Sequence, residues 1–497
     1  MSDMPHAADA VQKPWAIAGN LDAQVHETHT GIVFLLGDNA YKAKKSVLTD
    51  FLDFTTSAQR EKACEREVAL NRRLAPESYL GVGHFIGPHG GTAEPVVVMC
   101  RYPDSMRLAS MVSRGVVVDE HLDAIAEKLA TFHLAAARGA IVAAEGSADA
   151  VLARWESNLA ELQRFSDVVG EYVDELRCLA ERFVAGRVDL FEERVSNGRI
   201  VDGHADLLAD DIFCAPEGPA ILDCLEFDDR LRYVDGIDDA AFLAMDLEFA
   251  GRPDLGSLFL DRYRDYAQDP APVSLIDFYI AYRAGVRAKV DCVRVTQGHP
   301  DAAIAARRHA EIALDHLRSG TVQLIIVGGG PGTGKTTISR ALAEQLEAQV
   351  ISTDDVRREM HRAGTLKGEP GTVDAGLYAP EQVSAVYDEV LRRARVQLGA
   401  GRSVILDGTW HDPHQRDRAH AVAADAAAPI VEFTCSLPQD AAAARIRSRT
   451  ASTSDATPEI AAALDVPDVS WPGSHRIDTS QPLDHSVAEA QRICLAI

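Results

Sequence analysis

A lysine and a threonine placed directly after a glycine-rich turn are the groups in this chain best suited to chemistry. Residues 329–336 read GGPGTGKT and fit the pattern G-x-x-x-x-G-K-[ST]. The apolar run Val322, Leu324, Ile325, Ile326 and Val327 leads into the pattern, and a helix-permissive segment, ISRALAEQLEA, follows it. Gly329, Gly330, Gly332 and Gly334, with Pro331 and Thr333 among them, let consecutive N–H groups turn inward around phosphate oxygens. The N-terminus of the following helix adds partial positive charge. Lys335 supplies a mobile full charge for β- and γ-phosphates, and Thr336, followed by Thr337, offers a hydroxyl to Mg²⁺. The expected ligand is Mg-ATP, with GTP an equal fit to the pattern itself. A chance glycine-rich turn is the bland alternative, and the intact pattern between strand and helix argues against it.

Carboxylates and arginines follow at telling positions. The segment ISTDDVRREM (351–360) is expected to bring Asp354, Asp355 and Arg357 to the C-terminal edge of a strand adjacent to the phosphate loop. Asp354 could accept a proton from an attacking hydroxyl there, and Arg357 could grip an anionic group. The plainer reading is a helix-capping Asp with a solvated Arg. SVILDG (403–408) delivers Asp407 to a strand end, where such a carboxylate holds Mg²⁺ directly or through water, unless it is only a turn residue. Arg445, Arg447 and Arg449 could neutralise charge on a transferred phosphoryl group, with Arg445 and Arg449 spaced i, i+4. They could equally form a solvated basic helix end.

A second constellation lies upstream, in IVDGHADLLADDIFCAPEGPAILDCLEFDDR (200–230). It offers His204, then Asp206, Asp211 and Asp223. Carboxylates gathered in one compact element need neutralising, and Mg²⁺ bridging ATP phosphates would do it. Asp206 would then be the catalytic carboxylate, with Asp211 and Asp223 on the metal. The stretch 202–254 holds fifteen Asp or Glu against three Arg, however, and so dense a run usually means a solvated face.

The elements that must position these groups fall into two kinds. Strand-like GIVFLLG and AYKAKKSV flank a turn at Asp38-Asn39, a helical pattern covers 57–75, and VVVMCRY (96–102) reads as another strand. Helical stretches from about 119 to 185 precede the turn-rich block 199–236, and further helices run to about Leu317. After Ser319-Gly320 the chain alternates strand and helix regularly, which argues for a parallel sheet covered on both faces. At 497 residues the length suits roughly two to four domains. The net charge of −25 argues against a general nucleic-acid surface, though not against a locally bound polyanion. Eight scattered cysteines without a C-x-x-C pair suggest a reduced, cytoplasmic protein. No run approaches the ~18 apolar residues of a membrane helix, and the first residues show no secretion signal.

From residue 322 onward the chain resembles the small-molecule kinase branch of P-loop proteins, similar to polynucleotide 5′-hydroxyl kinases and zeta-toxin-like kinases. The resemblance runs through HRIDTSQPLD (475–484), which looks like that fold's last strand and turn. It implies an acceptor-hydroxyl base at Asp354 and a substrate-anion contact at Arg357. The block 200–230 resembles the H-G-D-x-H-x-x-N and I/F-D motifs of aminoglycoside phosphotransferase-like kinases. Lys42 falls where that fold's phosphate-anchoring lysine belongs, and Glu67 where its helix partner belongs. With LRYVDGIDDAAFLAMDLEFAGRPDL (231–255) added, residues from about 27 to 497 resemble the two-domain bifunctional aminoglycoside phosphotransferase-like/ATP-binding family. The polar, Ala-rich start reads as a loosely held segment 1–26, and the family implies an α+β protein-kinase-like domain over 27–318 and an α/β P-loop kinase domain with a parallel sheet over 319–497.

The sequence departs from the motif at Ala205, Leu208 and Asp211, which stand for glycine, histidine and asparagine. The extra charge of Asp211 would face the phosphates. At ~4 Å and an effective dielectric of ~20 a unit pair is worth about 4 kcal/mol, enough to silence a site if uncompensated. The expected activity is transfer of the γ-phosphoryl group of ATP to the hydroxyl of a small molecule, such as a sugar or amino-sugar, with the N-terminal half impaired. The competing readings are a nucleotide-responsive regulatory protein, whose kinase-like half binds a partner, and a simple NTPase.

Overall fold

The computed structural model describes residues 24–27, 31–47, 54–86, 93–367, 376–448 and 471–496. Arg449, expected beside Arg445, lies outside the described residues. Contacts divide the chain into two compact units, one running to Arg107 and taking in Phe213–Phe227, the other comprising Leu108–Ile212 and Asp228–Ile497.

The first unit is built on an antiparallel sheet of β1 (Gln24–Glu27), β2 (Gly31–Leu36), β3 (Asn39–Lys44), β4 (Tyr79–Phe85) and β5 (Glu94–Cys100), in the order β1-β2-β3-β5-β4. The β2–β3 turn is made by Gly37 and Asp38 rather than Asp38-Asn39, because the turn requires a left-handed residue and Gly37 takes φ +57°. The helix starts at Ser57, where Thr56 and Gln59 form a reciprocal capping box, and ends at Asn71, short of the expected 75. Its Cys64 and Val68 pack with Ala40, Tyr79, Val97 and Met99 into the core of this unit.

The second unit contains both a helical assembly and a parallel sheet. Helices Asp119–Ala135, Ala148–Leu162, Ser166–Ala185, Gly236–Phe249, Val273–Thr296 and Ala302–Ser319 supply much of the former. Trp155, Phe183, Phe191 and Phe278 are buried among them, with the rings of Phe183 and Phe278 stacked at 4.3 Å. The acidic stretch 202–254 is not simply a solvated face: Asp235, Asp238 and Asp239 are at most 1% exposed. Arg194 holds Asp235 at 2.5 Å, Arg283 holds Asp238 at 2.7 Å and His133 holds Asp239 at 2.9 Å. Buried carboxylates persist because each has such a partner.

The parallel sheet consists of β6 (Leu324–Gly328), β7 (Gln349–Ser352), β8 (Val404–Asp407), β9 (Ile430–Ser436) and β10 (His475–Asp478), in the order β7-β8-β6-β9-β10. Ile325, Val327 and Ile405 enter one core together with helices Lys335–Leu346 and Leu483–Cys494. Leu324, Ile326 and Leu406 alternate with them and are equally buried, so both faces are covered. The order corrects one expectation. The strand leading to Asp354 is not adjacent to the phosphate-loop strand, because β8 lies between them. Among the described residues no helix is long and apolar enough to cross a membrane.

Candidate phosphoryl-transfer sites

β6 ends at Gly328, and the loop beyond it turns into the helix that opens at Lys335. Gly329 takes φ +132°, and a Cβ there would stand 2.7 Å from the Cys435 carbonyl oxygen. Gly332, at φ +78°, would meet the Ala442 carbonyl oxygen at 2.8 Å. Larger residues at these positions would displace the loop. Lys335 Nζ donates to the Gly330 carbonyl at 2.8 Å, and the Thr333 hydroxyl donates to the same oxygen at 2.8 Å. The Thr337 N–H caps back on Gly334 at 3.1 Å. Around Pro331 the loop is braced from outside: Thr479 donates to the Thr333 carbonyl at 2.6 Å, and Arg445 donates to the Thr479 carbonyl at 2.8 Å. Arg445 is exposed, yet through Thr479 it is tied to the phosphate loop.

Thr336 Oγ1 donates to Asp407 Oδ2 at 2.7 Å. Asp407 is 3% exposed, and burial raises its pKa although the Thr336 hydroxyl and Lys335 oppose the rise. A carboxylate held up by burial, touching a hydroxyl beside a phosphate loop, is a donor set that suits Mg²⁺ completed by phosphate and water oxygens.

Asp354 and Arg357 lie in the helix Thr353–Arg362, one turn apart, and pair at 2.7 Å. Arg357 is not solvated. It is 7% exposed, lies 4.7 Å over the Tyr378 ring, and its Nε has no hydrogen-bond partner.

In the first unit Lys42 Nζ lies 3.0 Å from Glu67 and 2.5 Å from Asp223. Lys44, two residues along the same strand face, reaches the other Glu67 oxygen at 2.5 Å and also pairs with Glu226. Burial opposes the Lys42 charge, but Asp223, Glu67 and Glu226 outweigh it and hold its pKa well above the usual lysine value. Asp223 takes φ +62°, and its N–H donates to the Tyr79 hydroxyl at 3.1 Å.

In the second unit the loop carrying Asp206 is clamped from behind. The N–H groups of His204 and Ala205 donate to Asp239 at 2.6 and 2.7 Å, and the Asp206 N–H approaches His204 Nδ1 at 3.3 Å. His133 bonds Asp239 through Nε2 and Tyr263 through Nδ1. Burial would raise the Asp239 carboxyl, yet His133 and His204 hold it well below the usual carboxylate range. Asp211 ends a short 3-10 turn on this loop, its N–H bonded to the Leu208 carbonyl at 3.0 Å. Among the described residues no three or more His, Cys, Asp or Glu side chains gather as a ready-made metal cage. Sequence reasoning missed Asp239, His133, Glu226 and Thr479. His133 and Asp239 stand 106 positions apart, and no local pattern links them.

A parallel sheet ending in this phosphate loop makes the C-terminal part a P-loop domain. A family model described as an AAA domain matches residues 324–466. The chain is 57% identical over 471 residues to "Uncharacterized protein Rv2004c" of Mycobacterium tuberculosis, covering 94% of this chain and 95% of that one, and it belongs to the same family. A putative kinase from Chloroflexus aurantiacus aligns over 35% of this chain and 98% of its own, with 22% identity and a TM-score of 0.28. A choline/ethanolamine kinase family protein from Mesorhizobium loti aligns over 60% of this chain and 93% of its own, with 14% identity and a TM-score of 0.38.

Proposed function

We propose that the protein is a phosphotransferase that moves the γ-phosphoryl group of ATP to the hydroxyl of a small molecule, with the P-loop half as its principal site. The observation that carries this reading is the Thr336–Asp407 hydrogen bond of 2.7 Å beside Lys335, in a loop that excludes side chains at Gly329 and Gly332. Lys335 and the loop amides bind the phosphates, and Thr336 and Asp407 hold Mg²⁺. When bound, that ion neutralises phosphate charge and orients the terminal group. Asp354 accepts the proton of the acceptor hydroxyl as its oxygen bonds to phosphorus. The bond from phosphorus to the bridging oxygen breaks, and ADP leaves with the electron pair. Arg357 steadies the acceptor and Arg445 the loop. The acceptor class we favour is a sugar, amino-sugar or similar polyol.

The N-terminal half is read as a second, weakened hydroxyl kinase. Lys42, steadied by Glu67, anchors phosphate; Asp206 is its base, and Asp211 and Asp223 are its metal ligands. Ala205 in a left-handed conformation (φ +68°) and Leu208 favour weak or absent catalysis there, and hence the alternative of a partner-binding module. The test measures MgATP uptake by calorimetry, and phosphoryl transfer into alcohols, sugars and amino-polyols, for wild type, Lys335→Ala and Asp206→Ala. Lys335→Ala is expected to abolish uptake at the P-loop and to cut transfer by ~10²-fold or more. Equal rates in all three proteins would remove both assignments, whereas uptake without transfer to any acceptor would favour the regulatory reading.

A further inference from the structure

His411 is a second group at the P-loop site with chemistry to offer. Its Nε2 is sealed from solvent and has no hydrogen-bond partner. Leaving such an atom unpaired is costly, so its presence asks for an explanation. Three other enclosed histidines are anchored on carboxylates: His133 on Asp239, His316 on Asp277 and Glu248, and His309 on Asp291 through Nδ1, although its Nε2 is also unpartnered. The charges that act on His411 are instead those of Lys335 and Arg416. Burial first, and then these two cations, depress its pKa and keep the ring neutral.

The backbone fixes where His411 stands. Just past β8, the Gly408 N–H donates to the Val327 carbonyl at 3.3 Å, and the Gly329 N–H donates to the Thr409 carbonyl at 3.2 Å. The segment is thus stitched to the first glycine of the phosphate loop. Trp410 then takes φ +54°, a left-handed conformation that is uncommon and costly for a tryptophan. It is held there by burial, by its indole N–H on the Leu406 carbonyl at 3.2 Å, and by Tyr387 edge-on at 4.9 Å. Arg416 Nη1 grips the carbonyls of both Trp410 and His411, at 2.7 and 3.0 Å. On the other side, Tyr387 lies close enough to Asp354 and Arg357 to feel their charges, and its hydroxyl is 3.5 Å from the Thr409 hydroxyl. Because β8 separates β6 from β7, residues 408–411 stand between the phosphate loop and the proposed acceptor side.

We propose that His411 is a further catalytic residue of the P-loop half, its Nε2–H donating a hydrogen bond to an oxygen of the phosphoryl group during transfer. This role rests on the phosphotransferase reading above. The imidazole keeps its proton throughout; the acceptor's proton goes to Asp354, the new O–P bond forms, and ADP departs with the electrons of the broken bond. A neutral donor fixed beforehand serves such a group because charge builds on its equatorial oxygens, and no reorganisation is needed when it does.

The experiment uses the full chain labelled with ¹⁵N-histidine, with the His411 resonance assigned through His411→Gln, and MgADP with aluminium fluoride as the probe for the phosphoryl group. The Nε2–H signal of His411 is expected to shift on binding. In parallel, His411→Leu should lower phosphoryl release from ATP, to water or to a hydroxyl acceptor, by ~10²-fold, while MgATP affinity by calorimetry stays within about threefold. A signal unmoved by a probe that calorimetry shows to be bound would overturn the role, as would a His411→Leu enzyme turning over at the wild-type rate. The labelled wild type decides the matter even if the variant does not fold. Failure of wild-type protein to take up MgATP at all would instead bring down the phosphotransferase reading, and this role with it.

Discussion

Ala205 shows what a single letter conceals. It stands where the resembling motif has glycine, and it adopts φ +68°, with its N–H on Asp239 and its carbonyl 3.4 Å from Arg283 Nη1. A left-handed alanine costs roughly 1–2 kcal/mol, whereas the extra freedom of glycine in the unfolded chain costs about 0.5–1 kcal/mol. Ala205→Gly should therefore leave the protein unchanged or up to ~1 kcal/mol more stable in urea unfolding. At an ordinary loop position the same change is destabilising, so a loss of about 1 kcal/mol or more would show that Ala205 is unstrained. The substitution was visible in the sequence, but the dihedral was not, because the partners that hold this residue, Asp239 and Arg283, lie 34 and 78 positions away. The phosphate-loop residues were legible because their chemistry is local and their order is contiguous. Lys42 and Lys44 were harder, since two residues on one strand face can both reach a single glutamate, and both do.

Elements were legible where one physical period dominates. The strand–helix alternation after residue 322 stood out because strands buried on both faces are continuous apolar runs. β4 did not, since YLGVGHF carries two glycines and leaves Leu80 and Phe85 exposed. The acidic stretch read as a solvated face because Arg194, Arg283 and His133, which hydrogen-bond its buried carboxylates, lie 41, 45 and 106 positions from them. The helices of the second unit use the same device once more. His316, on Ala302–Ser319, donates at 2.7 Å to Asp277 and at 2.7 Å to Glu248, on two other helices, beside a cavity of about 330 Å³ also lined by Asp315. Burial opposes its charge, but these carboxylates raise its pKa to about 9. A raised folded-state value means that the stabilisation is complete below the unfolded pKa of about 6.5 and disappears as pH rises through about 9. Its size is on the order of 3 kcal/mol. Urea unfolding at pH 6 and pH 9.5 should show that loss in wild type and a much flatter profile in His316→Gln. Parallel profiles would mean that the three helices are not held by this ion.

At the scale of the whole molecule, the helical assembly and the parallel sheet of the second unit are joined by more than the four residues between Ser319 and Leu324. Arg187, 2% exposed, donates to the Ala426 carbonyl at 2.6 Å, and Ser274 donates to the Gly401 carbonyl at 2.6 Å. Burial, with Arg182 nearby, lowers the Arg187 pKa to about 10, and the negative end of helix Pro413–Asp425, which Ala426 caps, eases the cost of that charge. The contact is tight: a Cβ on Gly186 would stand 2.1 Å from the Ala426 carbonyl oxygen, with no flexible side chain to give way. Helices Pro380–Gly399 and Pro413–Asp425 thus rest their C-terminal ends on the helical assembly, while their N-terminal ends flank Tyr378 and His411 at the proposed site. If the two parts unfold as one, a wedge at this contact must weaken both. Gly186→Ala should destabilise the protein by about 1–3 kcal/mol, the usual cost of overpacking. In native-state hydrogen exchange the loss of protection should reach the amides of β6 and β8 as well as those of helix Ser166–Ala185, because globally opening amides share one free energy. Lost protection confined to residues touching Gly186, with β6 unchanged, would show instead that the sheet folds on its own and the nucleotide site needs no support from the helices.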